Sequence, residues 1–363
     1  MSRLLVVAGE GSGDALAAPV VATLGTGAFG MGGPRLARAG ADLLVDQRRV
    51  AVMGVPAALT SVATHVLAGA RILRETDLRR PQAALLVGYS EFNGWLAPRL
   101  RRRGVPVLWY APPQVWAWRP ARARRLAPHV DALALLLPFE APIWERAGAR
   151  ATYVGHPGVP RDLPVAGPRS ASDPIRLALL PGSRRQEVHA HLPALLDAIR
   201  ALGSRATARL VLAEGLSAGT ATWIAERARG AGVTLVREPI ATLARDVDVA
   251  VVASGTATLE TVALGLPTVI VYRTDPLTYA VAKRWVRVPH IGLPNLVLGR
   301  VAFPELVQSA VTPERLVREV LAAVPEREKH LAACRELRSR LLAGLDDRAP
   351  AERVAEMLSP WLR

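Results

Sequence analysis

Residues 247–253, Val-Asp-Val-Ala-Val-Val-Ala, constrain the fold more than any other stretch of the chain. Asp248 apart, the run is made of β-branched and small apolar residues, with no alternation that would give it a wet face. It reads as a strand buried on both faces, which requires helices above and below a parallel sheet. The run stops at Ser254-Gly255-Thr256, after which Leu259, Val262, Ala263 and Leu266 recur at helical spacing. Ser254 suits an N-cap, and Gly255 leaves the backbone open to close approach. Free N–H groups at a helix start, backed by the helix dipole, suit a phosphate. Glu260 follows roughly 9 Å further along the helix, within reach of ribose hydroxyls if the helix start holds a diphosphate. An ordinary capped strand–turn–helix accounts for the same residues, so this stretch alone leaves both readings open.

The same unit, an apolar run followed by a glycine turn and a helical stretch, recurs through the chain. Residues 4–8 lead into Gly9-Glu10-Gly11-Ser12-Gly13-Asp14 and a helix over 15–24. The dinucleotide fingerprint fails here, because Asp14 stands where its third glycine belongs. A carboxylate there repels a pyrophosphate, which excludes a nicotinamide or flavin cofactor; the glycines instead make room for something bulky near Glu10 and Asp14. Gly30-Met31-Gly32-Gly33-Pro34 reads as a tight turn into a helix. The stretch 52–80 has a mostly apolar middle, 55–73, and ends in a basic cluster, Arg71, Arg74, Arg79 and Arg80, as in a membrane-facing amphipathic helix or a core-facing helix with a solvated end.

Strands are expected over 83–87, 105–110 and 132–137. The second runs into Ala111-Pro112-Pro113-Gln114-Val115-Trp116-Ala117-Trp118-Arg119. Amphipathic rings beside Arg119, Arg122, Arg124 and Arg125 suit lipid headgroups or a large amphiphile, although some rings in this half must fill the core. Residues 161–174, rich in Pro, Gly, Ser and Asp, mark a linker. The pattern then restarts with a strand over 175–180, the turn Pro181-Gly182-Ser183-Arg184 and a helix to 202. A glycine turn with a hydroxyl and an arginine at a helix start is again what an anion site needs. Strands over 210–213, 234–236 and 267–272 continue the alternation. The fold class expected is α/β, two Rossmann-like domains facing a cleft: 1–165, 170–345, and a closing helix within 346–363. That last helix either crosses back to the first domain or meets a partner subunit, which leaves a homodimer open.

Half of the 363 residues are hydrophobic and 21% are charged, which suits a globular chain with room for two cores. The formal charge is +15, carried almost wholly by arginine, since Lys283 and Lys329 are the only lysines. A basic surface suits nucleic acid, an anionic membrane or phosphorylated substrates. No nucleic-acid-binding module is recognisable, so no nucleic-acid partner is expected. Cys334 is the only cysteine and shares a helical face with Leu331, Leu337 and Leu341, so a buried thiol is expected rather than a nucleophile. The opening Met-Ser-Arg-Leu-Leu-Val-Val-Ala is too short for a signal sequence and is cut off by Glu10 and Asp14. No apolar run approaches the roughly 20 residues of a membrane span. A cytoplasmic protein resting on the inner face of the membrane is expected.

The ordered motifs resemble those of the lipid-A-disaccharide synthase family of GT-B glycosyltransferases. The matching pieces in the first half are Ala8-Gly9-Glu10 with Ser12-Gly13-Asp14, Gly32-Gly33-Pro34-Arg35, Val52-Met53-Gly54, Val115-Trp116-Ala117-Trp118-Arg119 and Leu137-Pro138-Phe139-Glu140. In the second half they are Gly155-His156-Pro157, Leu179-Leu180-Pro181-Gly182-Ser183-Arg184, Ala253-Ser254-Gly255-Thr256-Ala257, Leu259-Glu260 and Leu293-Pro294-Asn295-Leu296. The resemblance implies a metal-independent enzyme without cofactor. It would move 2,3-diacylglucosamine from UDP to the 6-hydroxyl of 2,3-diacylglucosamine 1-phosphate, with inversion. It implies that Ser183, Arg184 and the Ser254-Gly255-Thr256 helix start hold the diphosphate and Glu260 the ribose. Arg273, Asn295 and Gln308 would complete the UDP-sugar site, and Trp116, Trp118 and Arg119 would face an amphiphilic lipid acceptor or an anionic membrane.

One departure concerns the chemistry. The family carries Asp-Ala-Pro-Asp-Phe-Asn after its fourth strand, with the first aspartate as proposed general base. Here the run is Gly88-Tyr89-Ser90-Glu91-Phe92-Asn93, so that position has no side chain. An inverting transfer wants a carboxylate near the attacking hydroxyl. Glu91, Glu10 or Asp14 takes that role, or turnover is lost. The alternatives are a diverged relative with another UDP-sugar and lipid acceptor, a non-catalytic UDP-sugar-binding protein, and a UDP-sugar epimerase of the same fold.

Overall fold

The short apolar runs become parallel strands: the central ones are buried on both faces, and helices between strands return the chain for parallel pairing. The computed structural model describes residues 3–50, 58–160, 173–213, 215–276, 279–280, 284 and 288–363. Val52-Met53-Gly54 and most of the expected linker lie outside the described residues. The chain divides into two units, Met1–Pro157 with Gly344–Arg363, and Gly158–Ala343.

In the first unit the strands are β1 (Leu4–Ala8), β2 (Ala28–Gly32), β3 (Asp42–Asp46), β4 (Ala83–Val87), β5 (Val107–Tyr110), β6 (Ala132–Leu135) and β7 (Ala151–Tyr153). Their order is β3-β2-β1-β4-β5-β6-β7, with every neighbouring pair parallel. Leu5 and Val7 point into one core with Ile72, Leu96 and Trp109. Leu4 and Val6 point into the other, with Val20, Val354 and Leu358. The C-terminal helix Pro350–Leu358 therefore belongs to the first unit, where it packs against helix Gly11–Leu24. Arg353 ties it to the sheet by donating from Nη1 to the Val154 carbonyl at 2.9 Å.

The second unit repeats the plan with β8 (Ile175–Leu180), β9 (Ala206–Val211), β10 (Thr234–Val236), β11 (Val249–Ala253), β12 (Thr268–Tyr272) and β13 (Glu305–Val307). The order is β10-β9-β8-β11-β12-β13, again parallel throughout. Val249, Val251 and Ala253 enter one core, and Ala250 and Val252 the other. In each sheet the winding reverses beside the first strand, between β1 and β4 and between β8 and β11, and that switch point is where ligands of such sheets bind. Asp248 interrupts the apolar run for a reason. Its carboxylate accepts the Arg176 main-chain N–H at 2.8 Å and the guanidinium at 2.9 Å, which fastens β11 to β8.

Several local expectations change. Helix Gly11–Leu24 begins four residues before the expected start, so Asp14 lies in its first turn and not in a loop. Residues 30–32 belong to β2, not to a tight turn. Gly30 makes that strand possible: its φ is 146°, and an added Cβ would lie 2.0 Å from the Val6 carbonyl oxygen. Among the described residues, no helix is long and apolar enough to cross a membrane.

The two kinds of glycine separate in a stability experiment. Gly30→Ala forces backbone apart and is expected to lower the unfolding free energy of the first unit by at least about 2 kcal/mol. Gly219→Ala, in a helix with nothing within 4 Å of the new methyl, is expected to be neutral or stabilising by up to about 1 kcal/mol. Urea unfolding of both variants checks this pair.

Candidate functional site

All strands of the second sheet run the same way, so the loops after β8, β11 and β12 leave one edge, with that of β11 in the middle. The middle loop opens helix Thr256–Ala263, whose cap is Gly255. Ser254 is not the cap. Its N–H still bonds the Val271 carbonyl at 2.8 Å in the ladder with β12, and its hydroxyl donates to the Ile291 carbonyl at 2.9 Å. A Cβ on Gly255 would meet nothing within 4 Å, so the helix start is open to a ligand, and Thr256 beside it is exposed. Glu260 is half-buried, and burial pushes its carboxyl above the usual carboxylate range. It packs against Gly158, where a Cβ would lie 2.3 Å from its Cγ. Among the described residues nothing donates to the Glu260 carboxylate.

The turn after β8 already holds a carboxylate. Ser183 and Arg184 donate their N–H groups to Glu187 Oε2 at 3.0 and 3.2 Å, and Arg184 Nη1 reaches Oε1 at 2.8 Å. The backbone donors expected to meet a phosphate there are thus committed, and the exposed side chains of Ser183 and Arg184 are what this turn presents. After β12, Arg273 Nε donates to the Gln308 carbonyl at 3.3 Å. Gln308 is held in the left-handed region at φ 53°, uncommon for a residue with a side chain. Its Oε1 accepts the Thr274 N–H at 3.4 Å, while Nε2 is buried with no partner among the described residues. Asn295 differs. It is fully buried, its Nδ2 donates to the Phe303 carbonyl and to Glu305 Oε1, both at 2.8 Å, and its Oδ1 accepts the Ala302 and Phe303 N–H groups. Its amide has no capacity left for a ligand. It braces Glu305, which in turn accepts the N–H groups of Ile291 and Gly292.

In the first unit the candidate carboxylates have three different fates. Asp14, 2% exposed, accepts the N–H groups of Gly33, Arg35 and Leu36 at 2.8 to 3.0 Å, and so anchors the turn into helix Pro34–Arg38. Glu91 pairs with the buried Arg122 at 2.6 Å, and Arg122 also donates to the Ser90 carbonyl. Glu10, at the start of helix Gly11–Leu24, is exposed, and its side chain caps nothing. The bulky object between the glycines is Tyr89: a Cβ on Gly9 would fall 2.1 Å from its ring. Tyr89 also hydrogen-bonds His65, and burial pushes its hydroxyl up to about 12. Gly88 sits in the left-handed region at φ 53° with empty space where a side chain would go. Its carbonyl accepts from Asn93 Nδ2 at 2.9 Å and from Trp109 Nε1 at 3.1 Å.

The tryptophan loop divides in the same way. Trp116 donates its indole N–H to Glu140 Oε1 at 3.0 Å, and Leu137 N–H bonds Glu140 Oε2 at 3.0 Å. Glu140 is 3% exposed, and desolvation pushes its carboxyl up to about 7. Trp118 is exposed, with the Arg119 guanidinium 4.5 Å above its ring. Trp109 and Trp144 are core residues. Cys334 is buried and its thiol pushed up to about 12, which removes it as a nucleophile.

A family profile described as lipid-A-disaccharide synthetase matches residues 4–351. The chain belongs to the lipid-A-disaccharide synthase family. A lipid-A-disaccharide synthase of Myxococcus xanthus is 39% identical, covering 99% of this chain and 98% of its own, and one of Syntrophus aciditrophicus is 36% identical, covering 98% and 96%. Among solved structures, MurG of Acinetobacter baumannii aligns over 98% of this chain and 99% of its own, with a TM-score of 0.59 at 16% identity. That likeness speaks for the GT-B fold alone.

In this lipid-A-disaccharide synthase family member, sequence motifs gave no role to Glu187, Glu305 or His191. Glu187 and His191 lie beyond the glycine turn, on a helix whose other residues read as an ordinary amphipathic face. His191 is 1% exposed and bonds both the Pro181 carbonyl and the Arg273 N–H at 2.8 Å. No spacing rule flags a lone histidine of this kind.

Glu140 gives a pH prediction. Its folded pKa lies above the unfolded value, so the folded state holds the proton more tightly. Its contribution to stability is therefore lost as pH rises from about 4.5 to about 7. Glu140→Gln removes that titration, and the fall in unfolding free energy between pH 5 and pH 8 is expected to shrink by up to about 3 kcal/mol. Chemical denaturation of both proteins at the two pH values measures it.

Proposed function

We propose that this chain is an inverting glycosyltransferase of lipid A biosynthesis, which transfers 2,3-diacylglucosamine from UDP to 2,3-diacylglucosamine 1-phosphate. The observation that carries the reading is the second sheet's switch-point edge. There an open helix start at Gly255, an unpartnered half-buried Glu260 and the exposed side chains of Ser183 and Arg184 leave the ends of adjacent strands. In this reading the diphosphate lies on the helix start and the two side chains, Glu260 takes the ribose hydroxyls, and Arg273 with the spare Nε2 of Gln308 completes the donor site.

The acceptor 6-oxygen attacks the anomeric carbon from the face opposite UDP. The bond to the diphosphate oxygen breaks with its electron pair, so charge builds on the phosphates, where fixed donors stabilise it. The 6-hydroxyl proton passes to a carboxylate of the first unit. Glu10 fits that task best, since Asp14 is held by three N–H groups and Glu91 by Arg122. Glu10→Gln is expected to lower kcat about 100-fold, and Glu91→Gln to leave it within about threefold. Gly88→Asp places a carboxylate in open space on a backbone that Asp tolerates better than most residues, and is expected to return at least about tenfold of the activity lost in Glu10→Gln. Mass spectrometry of lipid products from UDP-diacylglucosamine and the acceptor measures all three. UDP binding without product in the wild type would favour the second reading, a donor-binding protein without turnover, for which Gly88 is the argument.

A lipid acceptor places the protein at a membrane surface. On helix Ala58–Arg79, Val66, Leu67 and Leu78 are 57%, 71% and 65% exposed, beside the exposed Arg71 and Arg74. Together with Trp118 and Arg119 they support peripheral contact with anionic lipid on the cytoplasmic side. Vesicles containing anionic phospholipid should retain the protein at low salt and release it at high salt, and Val66→Ser with Leu67→Ser should weaken retention about fivefold or more.

A further inference from the structure

We propose that His191 is a positioning residue for the donor: a neutral imidazole that ties the turn after β8 to the loop after β12 and so fixes Ser183, Arg184 and Arg273 for a nucleoside diphosphate. The inference rests on the donor-site reading above. His191 projects from the first half of helix Arg185–Leu202 and is 1% exposed. Its Nδ1 lies 2.8 Å from the Pro181 carbonyl oxygen, and its Nε2 lies 2.8 Å from the Arg273 nitrogen. A carbonyl can only accept and a main-chain N–H can only donate. One form of the ring satisfies both, with a proton on Nδ1 and a bare Nε2. A second proton would set two donors face to face, and burial independently pushes the ring below its ordinary range.

The two partners lie in loops on either side of the β11 loop, so the ring links the two flanks of the proposed diphosphate site. Pro181 is the residue before Gly182, Ser183 and Arg184. Arg273 leads on to Gln308 through its Nε bond to the Gln308 carbonyl and the adjacent bond from Thr274 N–H to Gln308 Oε1. One imidazole therefore bears on both ends of the site. A histidine that only filled the core would need neither loop. Removing the ring leaves a buried carbonyl and a buried N–H without partners, and both loops relax to rehydrate them.

The test is calorimetric titration of the full chain with UDP. His191→Leu keeps the volume and loses both bonds, and is expected to raise the UDP Kd about tenfold. His191→Gln offers an N–H and a carbonyl from one side chain and is expected to stay within about threefold of wild type. Wild type that binds no UDP would sink the donor-site reading itself. Wild type that binds UDP, with His191→Leu folded and binding equally well, overturns the positioning role alone. So does equal weakening in the Leu and Gln variants. Nitrogen NMR of labelled histidine in the wild type requires no variant to fold. A neutral ring protonated on Nδ1 near neutral pH, whose signals shift as UDP is added, supports the role. A charged ring, or signals unmoved at saturating UDP, overturns it.

Discussion

The second unit depends on the pairing of β8 with β11. Arg176 and Asp248 fix that register, with the carboxylate taking both the main-chain N–H and the guanidinium of the arginine. Leu180 then lies opposite Val252, so the two strands end within one residue of each other and their loops leave the sheet side by side. A slip of one residue would turn every side chain of β11 to the wrong core. It would also separate the helix start at Gly255 from the turn at Gly182. A half-buried ion pair at the far end of a strand thus sets side by side the two loops proposed to meet a diphosphate.

Short apolar runs between turns were legible from sequence as strands, whether buried on both faces like β4 or part-exposed like β10. β4, β8 and β10 begin and end where pattern alone places them. β2 was not legible. It is built of Ala28, Phe29, Gly30, Met31 and Gly32, and its glycines read as a turn until the Val6 carbonyl is seen pressed against Gly30. Ser254 was misread for a related reason. Local preference favours a serine cap, but the ladder with β12 holds its N–H one residue further than the apolar run suggests. In both places tertiary pairing outweighs the local signal.

The candidate residues divide by a criterion that sequence cannot supply, namely how much hydrogen-bonding capacity the protein itself uses. Asp14 and Asn295 stand in family motifs, yet main-chain N–H groups and neighbouring side chains take up their polar atoms. Glu140 holds Trp116 and Leu137 in the same way. Such residues shape the edges without facing a ligand. Glu10, Glu260 and the amide nitrogen of Gln308 keep capacity in reserve, and two of these are buried enough that the reserve is costly. Other buried polar atoms are also unpaired, the Trp144 indole N–H among them, so Glu260 and Gln308 carry the proposed reading by standing at the switch-point edge as well as by their spare capacity.

Gly88 fits the same logic from the opposite direction. Its carbonyl is held by Asn93 and Trp109, and its backbone turns into the left-handed region ahead of Tyr89, which does the same. The main chain at the end of β4 is therefore anchored where a side chain would project into empty space. The scaffold for an acid is present without the acid. A carboxylate from the start of helix Gly11–Leu24, across the β1–β4 switch point, needs no rearrangement of that scaffold. In the proposed reading the base can therefore change while the fold, its edges and the loops of the second sheet stay as they are.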